Sequence, residues 1–541
     1  MAAGSLWSVE TGPPLEDDDR VQGRPMTIGA FVTSFVDRFG PDIAIVTPDG
    51  RFTFRELGEM IMSVARGLVA IGVEPGDRVA VLMPNRAEWV AASYGTALIG
   101  GVAVFVNIFS SAGEQHDALA ATDASVVLMS ASFGGRDLVG PFLAGRGDGP
   151  APRQVYALGP PESAPGVATW SELLVSGAAV AEDAVRARAA AVGPDDDGFV
   201  MFTSGTSGRP KAVVHAHRAP CLQLLRWAET EEIGPGDRVF STYPWFWSSG
   251  FVRALGACLS AGARLVTMAH FEPAGALRLM EQECVDSVIT PGQGHLDYRL
   301  VEDPAFASTD LRSIRRVSNR PLAEALGIEP DWLGAGYGMS ESCTLVTVTG
   351  SREPVGTAGR ILPGWSLAVV DPESGAVLPR GQTGLVKIKG PAMMTALNGR
   401  PLAEVVDADG YFVTSDLGWL DEEGNFFFSS RIDDLVRSGG VNVSTGELER
   451  VLAGHAGVKH AIALGVPHPR LGQALVACIV REDPDVGTDD ILAWLRPRLA
   501  SYKLPRAVLF FDESELTFTV SQKVERTSLR DIVIRRLDEN A

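Results

Sequence analysis

From residue 52 to beyond residue 300 the chain alternates short apolar runs with segments whose apolar residues recur at helical spacing, and few architectures satisfy that alternation. Phe52 to Phe54 reads as a short strand. Leu57, Met60, Ile61, Val64, Leu68 and Ile71 then lie on one helical face, closed by Gly72. Pro75-Gly76-Asp77 turns the chain into Val79 to Leu82, a run suited to a buried strand. The expected fold is α/β: a large N-terminal domain of layered α/β subdomains with mostly parallel sheets, over 26–432. Past residue 432 the pattern changes to a helix at Glu447 to Leu452, strands at Ala461 to Val466 and Ala474 to Val480, and a helix near Ile491 to Leu499. That predicts a small, mobile α+β domain over 433–541. Residues 1–25 read as an acidic flexible tail, and Gly134 to Pro165 as a connecting loop.

Charge and cysteine usage narrow the function classes. A net charge of −20 on 541 residues disfavours nonspecific binding to nucleic acid or to anionic membranes, so a polyanionic ligand would need a local site. The five cysteines are scattered and form no CxxC pair, which supports neither a disulfide framework nor a zinc ribbon. Trp89 to Phe109 carries no charge, but its glycines and Asn107 predict a buried helix, a break and a core strand at Ala103 to Val106 rather than a membrane span. A cytoplasmic location is the expectation, and a homodimer is admitted.

The most informative local segment follows the apolar strand Phe199 to Phe202. Thr203, Ser204, Gly205, Thr206, Ser207, Gly208, Arg209, Pro210 and Lys211 bring four hydroxyls, two glycines and a lysine into nine residues, a composition able to wrap oxyanions. A Walker A loop requires Gly-Lys-Ser/Thr, whereas here Pro210 precedes the lysine and Ala212 follows it. A GxSxG nucleophile elbow fails because Gly208 follows Ser207 directly.

This stretch resembles the phosphate-loop signature of the adenylate-forming superfamily, which includes acyl- and aryl-CoA synthetases, peptide-synthetase adenylation domains and luciferases. The resemblance runs from about residue 30 to 535. Tyr337-Gly338-Met339-Ser340-Glu341 is similar to the family's YGxTE motif, Thr414-Ser415-Asp416 to TGD, and Arg431-Ile432-Asp433-Asp434 to GRxDD. Lys523 sits in Ser521-Gln522-Lys523-Val524, where the family shows SGK. The resemblance implies that a carboxylic acid attacks the α-phosphate of ATP, pyrophosphate leaves, and CoA then displaces AMP from the acyl-adenylate.

The same resemblance assigns roles. Thr203 to Lys211 would grip the β- and γ-phosphates, Ser340 would touch the α-phosphate, and Glu341 would hold Mg2+. Tyr337 and Gly338 would lie against adenine, while Asp416 accepts from the ribose hydroxyls and Arg431 reaches ribose or phosphate. Lys523 would stabilise the α-phosphate during adenylation. Asp433 would be the hinge about which the small domain rotates, bringing Ser438, Gly439 and Gly440 in to shape the CoA channel.

Four departures stand out: Ser207 for the usual threonine, Ser430 and Gln522 each for a glycine, and a shortened stretch between Asp310 and Tyr337. Trp247, after Pro244, falls at the family's acyl gate, and with Trp245, Phe251 and Gly336 it would line an apolar pocket for a hydrophobic acid. Two alternatives remain beside the CoA ligase: a ligase that passes the acyl group to a carrier protein or an amine, and a non-catalytic nucleotide-binding protein.

Overall fold

The computed structural model describes all residues except 1–5, 20, 146–151, 160–165, 204–210, 291–294, 319, 329–335, 350–353, 355, 433–434, 439–440, 469–471, 500–502, 519–523 and 540–541. A nine-stranded sheet runs in the order 168–169, 154–158, 126–130, 78–82, 102–105, 197–203, 211–216, 396–397, 400–401. Its strands are parallel as far as Asp197–Thr203 and antiparallel from there to the edge. A six-stranded sheet, 316–317, 287–289, 238–241, 264–266, 43–47, 50–53, is parallel except for its last hairpin.

The uncharged segment begins within the helix Ala87–Leu98, every residue of which except the half-buried Glu88 is buried. Gly100 (φ +82°) breaks it before the strand Val102–Phe105. A helix apolar on all sides belongs inside a protein or a bilayer, and this one lies in the main core. Among the described residues no helix is long and apolar enough to cross a membrane. The amphipathic helix Phe54–Ala70 packs beside it, started by a capping box in which Thr53 and Glu56 exchange hydrogen bonds with each other's backbone N–H.

The layered α/β architecture is as expected, and a third sheet, 9–11, 366–370, 384–389, 412–420, 426–431, adds an antiparallel layer to the large domain. Two expectations need correction. The N-terminal segment is no free tail from residue 6 on. Val9–Thr11 forms the edge of that third sheet, and Asp18 is buried against Arg226 (3.1 Å), both side chains at 1% exposure or less. Two ion pairs, Asp18 with Arg226 and Glu10 with Arg380, and one strand register hold a segment whose composition alone reads as solvated. The stretch taken for a loop contains the helix Val139–Ala144 and the strand Gln154–Leu158, which adds parallel to the nine-stranded sheet.

The chain leaves the third sheet at Arg431 and enters a separate sheet at Leu435, and the expected hinge residue Asp433 lies outside the described residues. The small sheet pairs Leu435–Ser438, Val441–Ser444, Val458–His468, Gly472–Arg481 and Ala507–Phe511, with the helices Thr445–Ala453, Thr488–Leu495 and Arg526–Glu539 among its companions. Arg450 of this part donates to the Phe428 carbonyl (3.0 Å) of the third sheet. Lys459 pairs with Glu302 (2.5 Å) of the large part.

Candidate active site

Four segments far apart in sequence converge where the nine-stranded sheet meets the third sheet. The first is the hairpin of Asp197–Thr203 with Lys211–Ala216, whose register sets Thr203 opposite Lys211. Both residues stand at the mouth of the loop 204–210. Ser204, Gly205, Thr206, Ser207 and Gly208 lie outside the described residues.

The second is the tight turn carrying Tyr337 to Glu341. Gly338–Met339 pairs with Thr344–Leu345, and the backbones approach so closely that a Cβ on Gly338 would sit 1.6 Å from the Thr344 carbonyl oxygen. Only glycine fits there. Ser340–Ser342 forms a single 3-10 turn, after which Cys343 (φ +49°) and Thr344 (φ +96°) take left-handed conformations. The Ser340 carbonyl accepts from His215 Nε2 (2.7 Å), and the Glu341 carbonyl accepts from the Met394 N–H (2.8 Å). Because a carbonyl only accepts, the His215 ring must carry its proton on Nε2. Burial pushes that imidazole down to about 4, so it is neutral at physiological pH.

The Glu341 carboxyl is raised above the usual carboxylate range by partial burial, while the charges of Lys211 and Arg431 pull it back down and Asp416 pushes it up. Lys211, Arg431 and Asp416 thus act electrostatically on one carboxylate.

The third and fourth segments are neighbouring strands of the third sheet, on which Asp416 and Arg431 are register partners. Asp416, 4% exposed, receives the Tyr337 hydroxyl (2.7 Å) on Oδ2 and Arg431 Nε (3.3 Å) on Oδ1. The Thr414 hydroxyl accepts from the Asp416 N–H (3.1 Å) and fixes its backbone. Tyr337 is buried against Phe426 (4.9 Å between centroids) and lies nearly parallel to Phe428 (6.2 Å, 24°). Its phenol is held well above its ordinary value by burial and by the Asp416 charge, so it stays a donor. The ring is therefore a covered member of an aromatic stack, and its hydroxyl is the group committed to the site.

The aromatic residues expected at an acyl pocket separate into two environments. Trp245 and Phe251 are fully buried in a cluster with Trp89, Tyr94, Phe105 and Phe199. Trp247 is half-buried, edge-on to Phe246 (5.4 Å), which in turn meets the exposed Phe109 (5.9 Å). Of the three, Trp247 alone keeps solvent contact. Three residues on, Gly250 lies in the π-helical turn Ser249–Gly256, where a Cβ would lie 1.9 Å from the Pro244 oxygen. Gly336 is exposed beside the Tyr337 turn. Ser438 ends the strand Leu435–Ser438, while Gly439, Gly440 and Lys523 fall outside the described residues.

Among the described residues no group of three or more His, Cys, Asp or Glu side chains could enclose a metal. A lone carboxylate such as Glu341 still fits Mg2+, which takes one or two protein carboxylates and completes its shell with phosphate oxygens and water. Sequence reasoning missed His215, Gln223 and Trp227, which support the Glu341 turn from below. Their signal was faint: one histidine and two ordinary residues of an amphipathic helix.

Comparison with known proteins agrees with this geometry. The family model described as AMP-binding enzyme matches residues 32–397, and that of the AMP-binding enzyme C-terminal domain matches 447–523. A 3-[(3aS,4S,7aS)-7a-methyl-1,5-dioxo-octahydro-1H-inden-4-yl]propanoyl:CoA ligase of Mycobacterium tuberculosis (strain ATCC 25618 / H37Rv) is 34% identical over 520 residues, 94% of this chain and 99% of that protein. The crystal structure of ATP-bound MatB from Rhodopseudomonas palustris superposes with a TM-score of 0.77 at 26% identity, covering 94% of this chain and 98% of the other. The amide bond synthetase McbA from Marinactinospora thermotolerans gives 0.75 at 25% identity, covering 94% and 99%.

Proposed function

The chain belongs to the AMP-binding enzyme family, and from that membership we propose that it is an ATP-dependent, AMP-forming ligase that joins a hydrophobic carboxylic acid to CoA. The observation that carries the reading is the convergence on the turn 337–341 of the strand that begins at Lys211, through His215, and of Asp416 with its partner Arg431, through the Tyr337 hydroxyl. A carboxylate is a poor electrophile. Attack on the α-phosphate gathers negative charge that fixed cations and donors must meet. Lys211 and the hydroxyls of Thr203 to Ser207 serve that need from one side, and Lys523 from the small domain. Asp416, fixed by Tyr337, Thr414 and Arg431, retains acceptor capacity for the ribose hydroxyls, since a carboxylate offers about four lone-pair sites. Glu341 would hold Mg2+, which would supply positive charge beside the phosphates. Asp433 serves as the hinge, and Ser438, Gly439 and Gly440 shape the thiol channel.

Trp247, the half-buried member of the aromatic run, would favour an apolar acid, in keeping with the indenyl-propanoyl group named for the mycobacterial relative. The likeness to an amide bond synthetase favours one second reading, transfer of the acyl group to an amine. Mass spectrometry of products from enzyme, Mg·ATP, CoA and a pooled library of carboxylic acids tests both. Acyl-CoA with matching AMP supports the ligase. Acyl-adenylate that yields product only with amines or carrier proteins moves the acceptor assignment, and no AMP-forming product across the pool overturns the proposal.

A further inference from the structure

The turn that carries Glu341 is strained, and the strain is confined by three side chains from outside it. Thr344 is β-branched and sits at φ +96°, a region such residues almost never occupy, directly after Cys343 at φ +49°. Strain of this kind persists only where surrounding structure over-determines it. Here the constraint comes from the strand Lys211–Ala216 and the helix Arg218–Thr230 that follows it. His215 donates to the Ser340 carbonyl (2.7 Å). Gln223 Nε2 donates to the Ser342 (3.0 Å) and Leu345 (2.7 Å) carbonyls, and Trp227 Nε1 donates to the Thr344 hydroxyl (2.9 Å). His215 and Gln223 are fully buried. Each spends its donor on the turn and, among the described residues, leaves its acceptor atom, His215 Nδ1 or Gln223 Oε1, without a hydrogen bond. A buried unpaired acceptor is costly, so an apolar side chain would suit either position better unless the donor were needed.

We propose that His215, Gln223 and Trp227 are positioning residues that clamp the strained turn at 340–345 and thereby aim the Glu341 carboxylate at the nucleotide phosphates. His215 lies on the strand that begins at Lys211, so one rigid element sets both the phosphate lysine and the metal carboxylate. The inference rests on Glu341 as the metal-holding residue and says what holds that residue in place.

The test is calorimetric titration of the full-length protein with ATP, without acid, once in EDTA and once in excess Mg2+. The ratio of the two dissociation constants is the readout. In His215→Leu the ratio should fall by roughly 10-fold or more, as is usual when a supporting partner of a metal ligand is lost. The EDTA value and the melting temperature should stay near wild type. His215→Gln, which keeps an N–H donor at similar reach, should restore the ratio. Thr344→Gly removes the strain and Trp227's partner together and should lower the ratio without lowering the melting temperature; it carries the test if His215→Leu does not fold. Glu341→Gln is measured in parallel. If Glu341→Gln abolishes the ratio while His215→Leu and Thr344→Gly leave it intact, the clamp is refuted and the metal assignment stands. If Glu341→Gln itself leaves the ratio intact, the metal assignment falls and the clamp with it.

Discussion

Replacing Tyr337 by phenylalanine deletes one oxygen and retains the ring that packs on Phe426 and Phe428. The deleted hydroxyl is the 2.7 Å donor to Asp416, a carboxylate 4% exposed whose remaining partner, Arg431, is itself 59% exposed in its side chain. Hydrogen bonds to a charged acceptor are worth about 1.5–3 kcal/mol. If the bond serves to orient Asp416 toward the ribose, that energy should reappear in nucleotide affinity as a weakening of roughly 10- to 150-fold. Titration calorimetry with ATP and with 3′-deoxy-ATP separates orientation from mere packing. Tyr337→Phe should weaken ATP strongly and 3′-deoxy-ATP less, because the analogue lacks one hydroxyl that Asp416 would receive. A variant that melts lower but binds both nucleotides within twofold of wild type would refute the reasoning and make the hydroxyl a packing brace.

Other perturbations address other parts of the site. Lys523→Ala should cripple adenylation, read as acid-dependent pyrophosphate exchange, while sparing thioester formation from supplied acyl-adenylate; equal loss in both half-reactions removes its assigned role. Trp247→Ala should shift the acid profile measured over a substrate panel, and an unchanged profile returns it to the core. His217 is fully buried, accepts from the Ile28 N–H (3.3 Å) and is pushed down to about 4 by burial, against the opposing pull of Asp196. The unfolded histidine titrates near 6.5, so between pH 6.5 and 4 the unfolded state binds more protons. The contribution is therefore whole above pH 6.5 and falls by about 3 kcal/mol as the pH drops toward 4. Denaturant melts across that window should show a shallower acid loss in His217→Gln than in wild type.

What could be read from sequence were the groups whose chemistry fixes both residue type and spacing. Asp416 and Arg431, fifteen positions apart, turn out to be register partners on adjacent strands, and the Tyr337–Glu341 motif is a turn whose glycine is sterically required. Periodicity also found the helix Phe54–Ala70 and the buried helix Ala87–Leu98, because burial writes itself into apolar spacing. It failed where long-range contacts decide. The third sheet is built from strands such as Phe412–Leu420, whose buried and exposed positions are interrupted by register shifts. Trp245 and Phe251 illustrate the converse limit: an aromatic run does not reveal which rings face a pocket and which face the core. His215 and Gln223 left only a faint sequence signal because their task is to donate hydrogen bonds, one from His215 and two from Gln223, to backbone carbonyls about 120 residues away.

The pinned N-terminal segment has a consequence for anyone who shortens this protein. Cutting at residue 25, a natural choice from composition, would strip Val9–Thr11 from the edge of the third sheet and leave Ser366–Val370 with a free row of backbone donors and acceptors, an invitation to strand addition and aggregation. It would also take the Asp18 carboxylate from Arg226, whose buried guanidinium lies on the helix Arg218–Thr230, one residue before Trp227 and three after Gln223. Losing one member of a buried ion pair typically costs about 3–5 kcal/mol. The helix that carries Gln223 and Trp227 is thus anchored through Asp18, and if these residues hold the turn at 340–345 as proposed, a trimmed enzyme should lose solubility and alignment of that turn together.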